Sequence, residues 1–189
     1  MQAARGTSLS DTEPSPSTRP TGASPRFRRT FALVAVAAYA IDVATKALAV
    51  EKLSGGADVE LVGPWLVLHL TRNPGAAFST GTEFTLLLSV IAIAAVAAVV
   101  HFGRKVGTRG WAWALGLLLA GVCGNLTDRV LRDPGPLRGH VVDFLMVPHW
   151  PVFNIADICI NLAAGLILIQ AFRGIGVDGT RAAAREREA

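Results

Sequence analysis

The sequence has 189 residues, of which 51% are hydrophobic and only 17% are charged. This composition is too apolar for an ordinary soluble domain of this length, so it predicts an integral membrane protein. The formal net charge of +4 could indicate nucleic-acid binding, but the basic residues lie beside long apolar runs, as membrane topology requires. No nucleic-acid partner is therefore expected. Cys123 and Cys159 both lie inside apolar runs and are interpreted as small buried side chains.

Four apolar runs follow one another along the chain, and each is long enough to cross a bilayer as a helix. The first run contains Asp42 and Lys46, which the apolar centre of a cleaved signal peptide lacks, so we interpret it as a retained helix. The sequence predicts an all-α membrane protein with a four-helix bundle, in a membrane domain over residues 26–173. The predicted transmembrane helices cover residues of about 30–50, 84–102, 111–131 and 152–172.

Two tails and one short β-rich segment complete the predicted organisation. Residues 1–25 are rich in Ser, Thr, Pro and Gly, which is typical of a disordered tail, and residues 174–189 form a second tail. Residues of about 57–80, between helices 1 and 2, contain two short β-type runs at 59–62 and 65–70, separated by a Gly-Pro turn. These runs predict a small extracytoplasmic sheet.

Lys and Arg concentrate in the N-terminal tail, in the loop at 103–110 and in the C-terminal tail. Cytoplasmic segments of membrane proteins carry an excess of these residues. We therefore expect both termini to be cytoplasmic, and the longer loops at about 51–83 and 128–151 to face outward.

Ionisable residues inside membrane helices are energetically expensive, and their default interpretation is functional. Asp42 and Lys46 are four residues apart on the first helix, so they share a face. An internal ion pair is favoured over a direct catalytic role for them. Asn125, Asp128 and Arg129 close the third helix, and spacings of three and four residues again place them on one face. Asp128 and Arg129 could also be a simple interfacial pair.

A further polar group opens the last helix, where Asn154, Asp157 and Asn161 have helical spacing. Pro148 and Pro151 suggest that this helix begins near residue 152, which places Asp157 roughly 7 Å inside it. A carboxylate at that depth needs a partner.

Asp143 is the obvious partner for Asp157, although it could equally be an ordinary aspartate of the outer loop. Two carboxylates at one membrane edge can divide acid and base roles, because like charges in close contact do not both ionise easily. His140 and His149 flank Asp143, but a metal site is not favoured. Asn73, followed by Pro and Gly, is by itself only a turn signal.

These polar groups, in this order, resemble the lipoprotein signal peptidases (signal peptidase II) of bacteria. Each segment alone is a weak string, but five in order against four apolar runs make a specific match over about residues 30–172. The matching segments are Asp42–Lys46, Asn73–Phe78, Gly124–Arg129, Val141–Phe144 and Phe153–Asp157.

The resemblance implies that Asp143 and Asp157 are a catalytic aspartate dyad acting without a metal or cofactor. It also implies substrate-site or supporting roles for other polar residues: Asn73, Asn125, Arg129 and Asn154 at the substrate site, and Asp42, Lys46 and Asp128 as supports.

The implied substrate is a prolipoprotein that carries diacylglycerol on a cysteine, cut just before that cysteine at the outer face of the bacterial cytoplasmic (inner) membrane. Besides this substrate the expected partners are membrane lipids, and a monomer is favoured. The alternative is a small proton-coupled transporter or channel, because intramembrane Asp, Lys and Arg also mark proton relays. A transporter usually needs polar residues near the midplane, whereas these carboxylates cluster at one edge.

Overall fold

The structure is a computed structural model that describes residues 24–75 and 81–181. Most of the predicted N-terminal tail, the last residues of the C-terminal tail and residues 76–78 of the Asn73–Phe78 segment lie outside the described residues.

Four helices form the body of the molecule, and all four are long and apolar enough to cross a membrane. The predicted four-helix membrane fold is therefore confirmed. Their outward faces carry exposed apolar side chains, such as Leu33 (70% exposed) and Phe172 (88% exposed), as expected where the solvent is lipid. The helices are α1 (Pro25–Leu53), α2 (Gly81–Gly103), α3 (Arg109–Leu131) and α4 (Ile155–Phe172).

Helix α3 lies at the centre and packs against α1, α2 and α4. Small residues make this possible, because helices in lipid associate through close backbone approach. A Cβ atom at Gly124 would collide with the Asp42 carboxylate, and one at Gly121 would collide with the carbonyl oxygen of Ala156. The two glycines therefore bring α1 and α4 against the same stretch of α3.

A three-stranded antiparallel sheet in the order β1-β2-β3 lies beside the bundle. Its strands are β1 (Val59–Glu60), β2 (Val67–Asn73) and β3 (Val141–Met146). The first predicted strand is shorter than expected, and the second begins later and continues to Asn73. The sequence predicted no strand around Asp143 in the outer connection, but this residue lies on β3, which pairs with β2 and places Thr71 opposite Asp143. This pairing joins segments far apart in the chain, which local strand propensity does not reveal.

The segment that follows α4, residues 174–181, turns back and contacts the connection between α2 and α3. The Gly107 amide donates to the Val177 carbonyl oxygen (2.8 Å), and the Trp111 indole Nε1 donates to the Ile175 carbonyl oxygen (2.9 Å). These two hydrogen bonds connect the segment after α4 to the start of α3.

Candidate active site

Asp143 and Asp157 meet at one cavity of about 540 Å³, which both side chains line. Asp143 lies on β3 and is only 2% exposed. Asp157 lies on the first turn of α4, because the helix begins at Ile155 and not near residue 152. It is therefore about 3 Å along the helix, not 7 Å. The preceding residue Phe153 is held extended by mutual backbone hydrogen bonds with Leu145 (2.8 and 2.9 Å), which delay the helix start.

Asn154 joins the two carboxyl groups. Its side-chain Nδ2 donates to Asp143 Oδ1 (2.7 Å), and its backbone amide donates to Asp157 Oδ2 (3.1 Å). Its Oδ1 accepts the Asp157 backbone amide (3.0 Å), which completes a capping box at the start of α4. One fully buried residue therefore sets the position of both acids relative to the helix.

The second oxygen of Asp143 is bound by the other strand of the sheet. Asn73 Nδ2, at the end of β2, donates to Asp143 Oδ2 (2.9 Å). Burial raises the pKa of Asp143 from 3.8 to about 6, the negative charge of Asp157 adds to this increase, and the Asn73 and Asn154 amides oppose it. Asp143 is therefore the carboxyl group that holds a proton more firmly than an ordinary aspartate.

The second oxygen of Asp157 is bound from α3. Asn125 Nδ2 donates to Asp157 Oδ1 (2.9 Å). The orientation of the Asn125 amide is fixed in turn, because its Oδ1 accepts from Lys46 Nζ (2.9 Å) and from Asn154 Nδ2 (3.1 Å). All four oxygens of the two acids thus receive amide donors from three asparagines.

Lys46 is buried (1% exposed) among the groups behind the two acids. Its Nζ lies 2.9 Å from Asp42 Oδ2, so the ion pair expected from the spacing forms. The Nζ also lies 2.9 Å from Asp128 Oδ2 on α3. Buried charges are tolerated only when hydrogen bonds satisfy their remaining polar atoms. Backbone amides donate such bonds to the Asp42 and Asp128 carboxylates.

Asp42 and Asp128 each hold one backbone segment of the site. Asp42 Oδ1 accepts the Ala156 amide at the start of α4 (2.8 Å). Asp128 Oδ2 accepts the Val142 amide on β3 (3.2 Å), next to Asp143. Asp42 and Asp128 therefore fix the two backbone segments that carry Asp157 and Asp143. Asp128 also pairs with Arg132, a contact that the four-residue spacing could have predicted.

Arg129 lies apart from this cluster, although the sequence places it on the same helix end as Asp128. It is half-buried, and the negative charges of Asp143, Asp128 and Asp157 favour its charged form. Its Nη1 atom is buried and has no hydrogen-bond partner among the described residues. Arg129 Nη1 is thus a buried donor that no acceptor among the described residues satisfies.

The walls of the cavity are mostly apolar, and the sequence interpretation did not single them out. They are formed by the segment before α4 and by one face of α4, with Asn161 as a further polar group. Asn161 Nδ2 donates to the Asp157 backbone carbonyl oxygen (2.9 Å). The apolar wall residues are Trp150, Pro151, Val152, Phe153, Ile158 and Leu162.

Two carboxyl groups that accept hydrogen bonds from amides at one cavity of a four-helix membrane protein are an arrangement typical of a membrane-embedded aspartic peptidase. Comparison with known proteins agrees: the sequence model of the family described as signal peptidase (SPase) II matches residues 34–173. The chain is 44% identical to a lipoprotein signal peptidase of Mycobacterium avium, over 88% of this chain and 91% of the relative. It is 46% identical to one of Streptomyces coelicolor, over 81% and 76%.

Solved structures show the same fold. A bacterial membrane enzyme determined by the in meso method at 1.9 Å resolution superposes with a TM-score of 0.68 at 31% identity, covering 76% of this chain and 92% of that one. The chain belongs to the signal peptidase II family. It is accordingly a multi-pass membrane peptidase of lipoprotein processing, and a transporter function is not favoured.

Proposed function

We propose that Asp143 and Asp157 are the catalytic pair with which the protein removes signal peptides from diacylglyceryl-modified prolipoproteins, cutting just before the lipidated cysteine. The observation that carries the proposal is their convergence on one cavity with all four oxygens oriented by Asn73, Asn125 and Asn154. Preorganised groups of this kind act on the transition state without having to rearrange.

The two acids take different roles in this mechanism. Asp157 is the base, because it stands in the first turn of α4, where the helix dipole stabilises a negative charge. Asp143 is the acid, since its pKa is raised to about 6 by burial, and a substrate that excludes water raises it further.

Catalysis then proceeds by addition and elimination. A water molecule gives a proton to Asp157 while its oxygen bonds to the scissile carbonyl carbon. The proton of Asp143 is donated in a hydrogen bond to the developing oxyanion. When the C–N bond breaks, the proton on Asp157 moves to the leaving amine, and the dyad returns to its starting state.

The cavity suits a substrate that arrives through lipid. Its walls are apolar, and Ile158 and Leu162 lie on α4, whose outer residues are exposed to the membrane. A signal-peptide helix and acyl chains can lie along this face while the scissile bond reaches the acids. The unpaired Nη1 of Arg129 supplies a donor for a polar substrate group. Asn125 and Asn154 act mainly by positioning the acids.

The proposed location is the bacterial cytoplasmic membrane, with both termini in the cytoplasm and the site at the outer face. The helix ends opposite the site carry the larger share of the basic residues, including Arg28, Arg29, Arg104 and Arg173. The positive-inside rule assigns that end to the cytoplasm.

A gel-shift cleavage assay tests the function. Purified protein in detergent is given a diacylglyceryl-modified prolipoprotein and, in parallel, the unmodified precursor. We expect cleavage of the lipidated form alone, with Asp143→Asn and Asp157→Asn each slowing it by several orders of magnitude. Asp58→Asn is the matched control, because Asp58 is exposed and pairs only with His69 among the described residues. Near-normal cleavage by either dyad variant would refute the assignment, and ion flux across liposomes without cleavage would favour the transporter.

A further inference from the structure

A second cleft lies at the end of the bundle opposite the two acids. It has a volume of about 450 Å³, within the range of ligand pockets. It is formed by the start of α1 and the end of α2. We call it the arginine cleft, and it is lined by Pro25, Arg28, Arg29, Phe31, Ala32, Val100, Gly103 and Arg104.

The charge of the arginine cleft is not balanced by the part of the chain that the structure describes. None of its three arginines forms an ion pair with a described acidic residue, and the first turn of α1 contains no acid. The start of a helix itself carries a partial positive charge, which makes cations there unfavourable. Arg28 and Arg29 lie beside this helix start, and Arg104 follows the end of α2, whose partial negative charge offsets only part of the charge on Arg104. Together the three guanidinium groups attract an anion.

The floor of the arginine cleft is apolar. The Phe31 ring packs so closely under the end of α2 that a Cβ atom at Gly103 would come within 2.6 Å of it. Ala32 and Val100 continue this surface, and the next residues along α1 include Leu33 (70% exposed) and Val36 (67% exposed). The cationic rim thus leads onto an apolar strip that faces the membrane interior.

A free inorganic anion would use only the rim, whereas a phospholipid matches both parts. Basic pockets between transmembrane helices at the cytoplasmic side are suited to anionic headgroups. We propose that the arginine cleft binds an anionic phospholipid, with the phosphate between Arg28, Arg29 and Arg104 and an acyl chain along Phe31 and Val100. The site is separate from the peptidase cavity.

The test measures lipid retention and thermal stability of the full-length protein in detergent, with phosphatidylglycerol or phosphatidylcholine added. We expect phosphatidylglycerol to be retained and to raise the melting temperature, and phosphatidylcholine to do neither. The variant Arg28→Gln/Arg29→Gln/Arg104→Gln should weaken phosphatidylglycerol binding roughly a hundredfold, from the contribution of each basic residue near a membrane surface. Its cleavage of lipidated prolipoprotein in detergent should stay unchanged.

A matched variant carries the same change of charge elsewhere at this end: Arg109→Gln/Arg173→Gln/Arg181→Gln, which should keep nearly all the binding. Arg104→Glu alone, which places an anion in the cleft, should weaken binding and provides a second, smaller perturbation. Equal losses in the two triple variants would overturn the proposal, because they would indicate a general field and not a site. Equal effects of phosphatidylcholine, or of inorganic phosphate at the same concentration, would also overturn it.

Discussion

Asn154 offers the sharpest test of how the site is held together. In Asn154→Ala the capping oxygen of α4 is lost, which costs about 1 kcal/mol. The buried Asp143 Oδ1 also loses a donor at 2.7 Å, which adds about 1–3 kcal/mol. The expected loss in unfolding free energy is therefore about 2–4 kcal/mol. Asp157 Oδ2 keeps its bond, because the donor is a backbone amide that alanine retains.

The same substitution should change catalysis in a specific way. Without the Asn154 amide the pKa of Asp143 rises further above about 6, since that amide lowers it. The displaced acid should also slow cleavage on the order of a hundredfold. Denaturant unfolding in detergent micelles measures the stability, and the pH profile of kcat/KM measures the shift.

Two comparison variants separate the effects. Asn154→Ser keeps a capping oxygen but is too short to reach Asp143, so it should recover the stability of the cap and not the pH profile. Thr108→Ala removes the cap of α3, at the other end of the bundle, and should cost about 1 kcal/mol without altering cleavage. The reasoning is refuted if Asn154→Ala loses no more stability than Thr108→Ala and retains the wild-type pH profile.

Three further predictions follow from the same contacts. The pKa of Asp143 is about 6 in the folded protein, against an ordinary value of 3.8. Its contribution to stability is therefore fully present below 3.8 and is lost as pH rises to about 6. Because Asp143 acts as the acid in its protonated form, kcat/KM should decline as pH rises through about 6, and a pH-independent unfolding free energy and rate would contradict this. Lys46→Met should cost about 3–5 kcal/mol because two buried carboxylates lose their cation, whereas Lys52→Met, whose pair with Glu51 is exposed, should cost under about 1 kcal/mol in the same unfolding assay. Gly124→Ala should lower the melting temperature because its Cβ meets the Asp42 carboxylate, at a cost of about 1–3 kcal/mol, and Gly165→Ala, with open space around it, should not.

The membrane architecture could be read from the sequence because it depends on local properties. An apolar run of about 20 residues spans a bilayer whatever it packs against, so all four helices were expected. The Asp42–Lys46 pair was also predictable, since four residues along one helix bring two side chains together. The order of the polar segments was enough to indicate the family.

The tertiary structure decided how these segments meet. β3 exists because it pairs with β2, and α4 begins at Ile155 because Phe153 is held by Leu145. Arg129 interacts electrostatically with Asp143 and Asp157 as well as with Asp128, whereas its neighbour Asp128 binds Lys46 directly. The contacts Asn73–Asp143, Asn125–Asp157 and Lys46–Asp128 join residues 32 to 82 positions apart. No local pattern specifies such contacts, because they form only when the packed helices and the sheet bring distant polar groups together away from water.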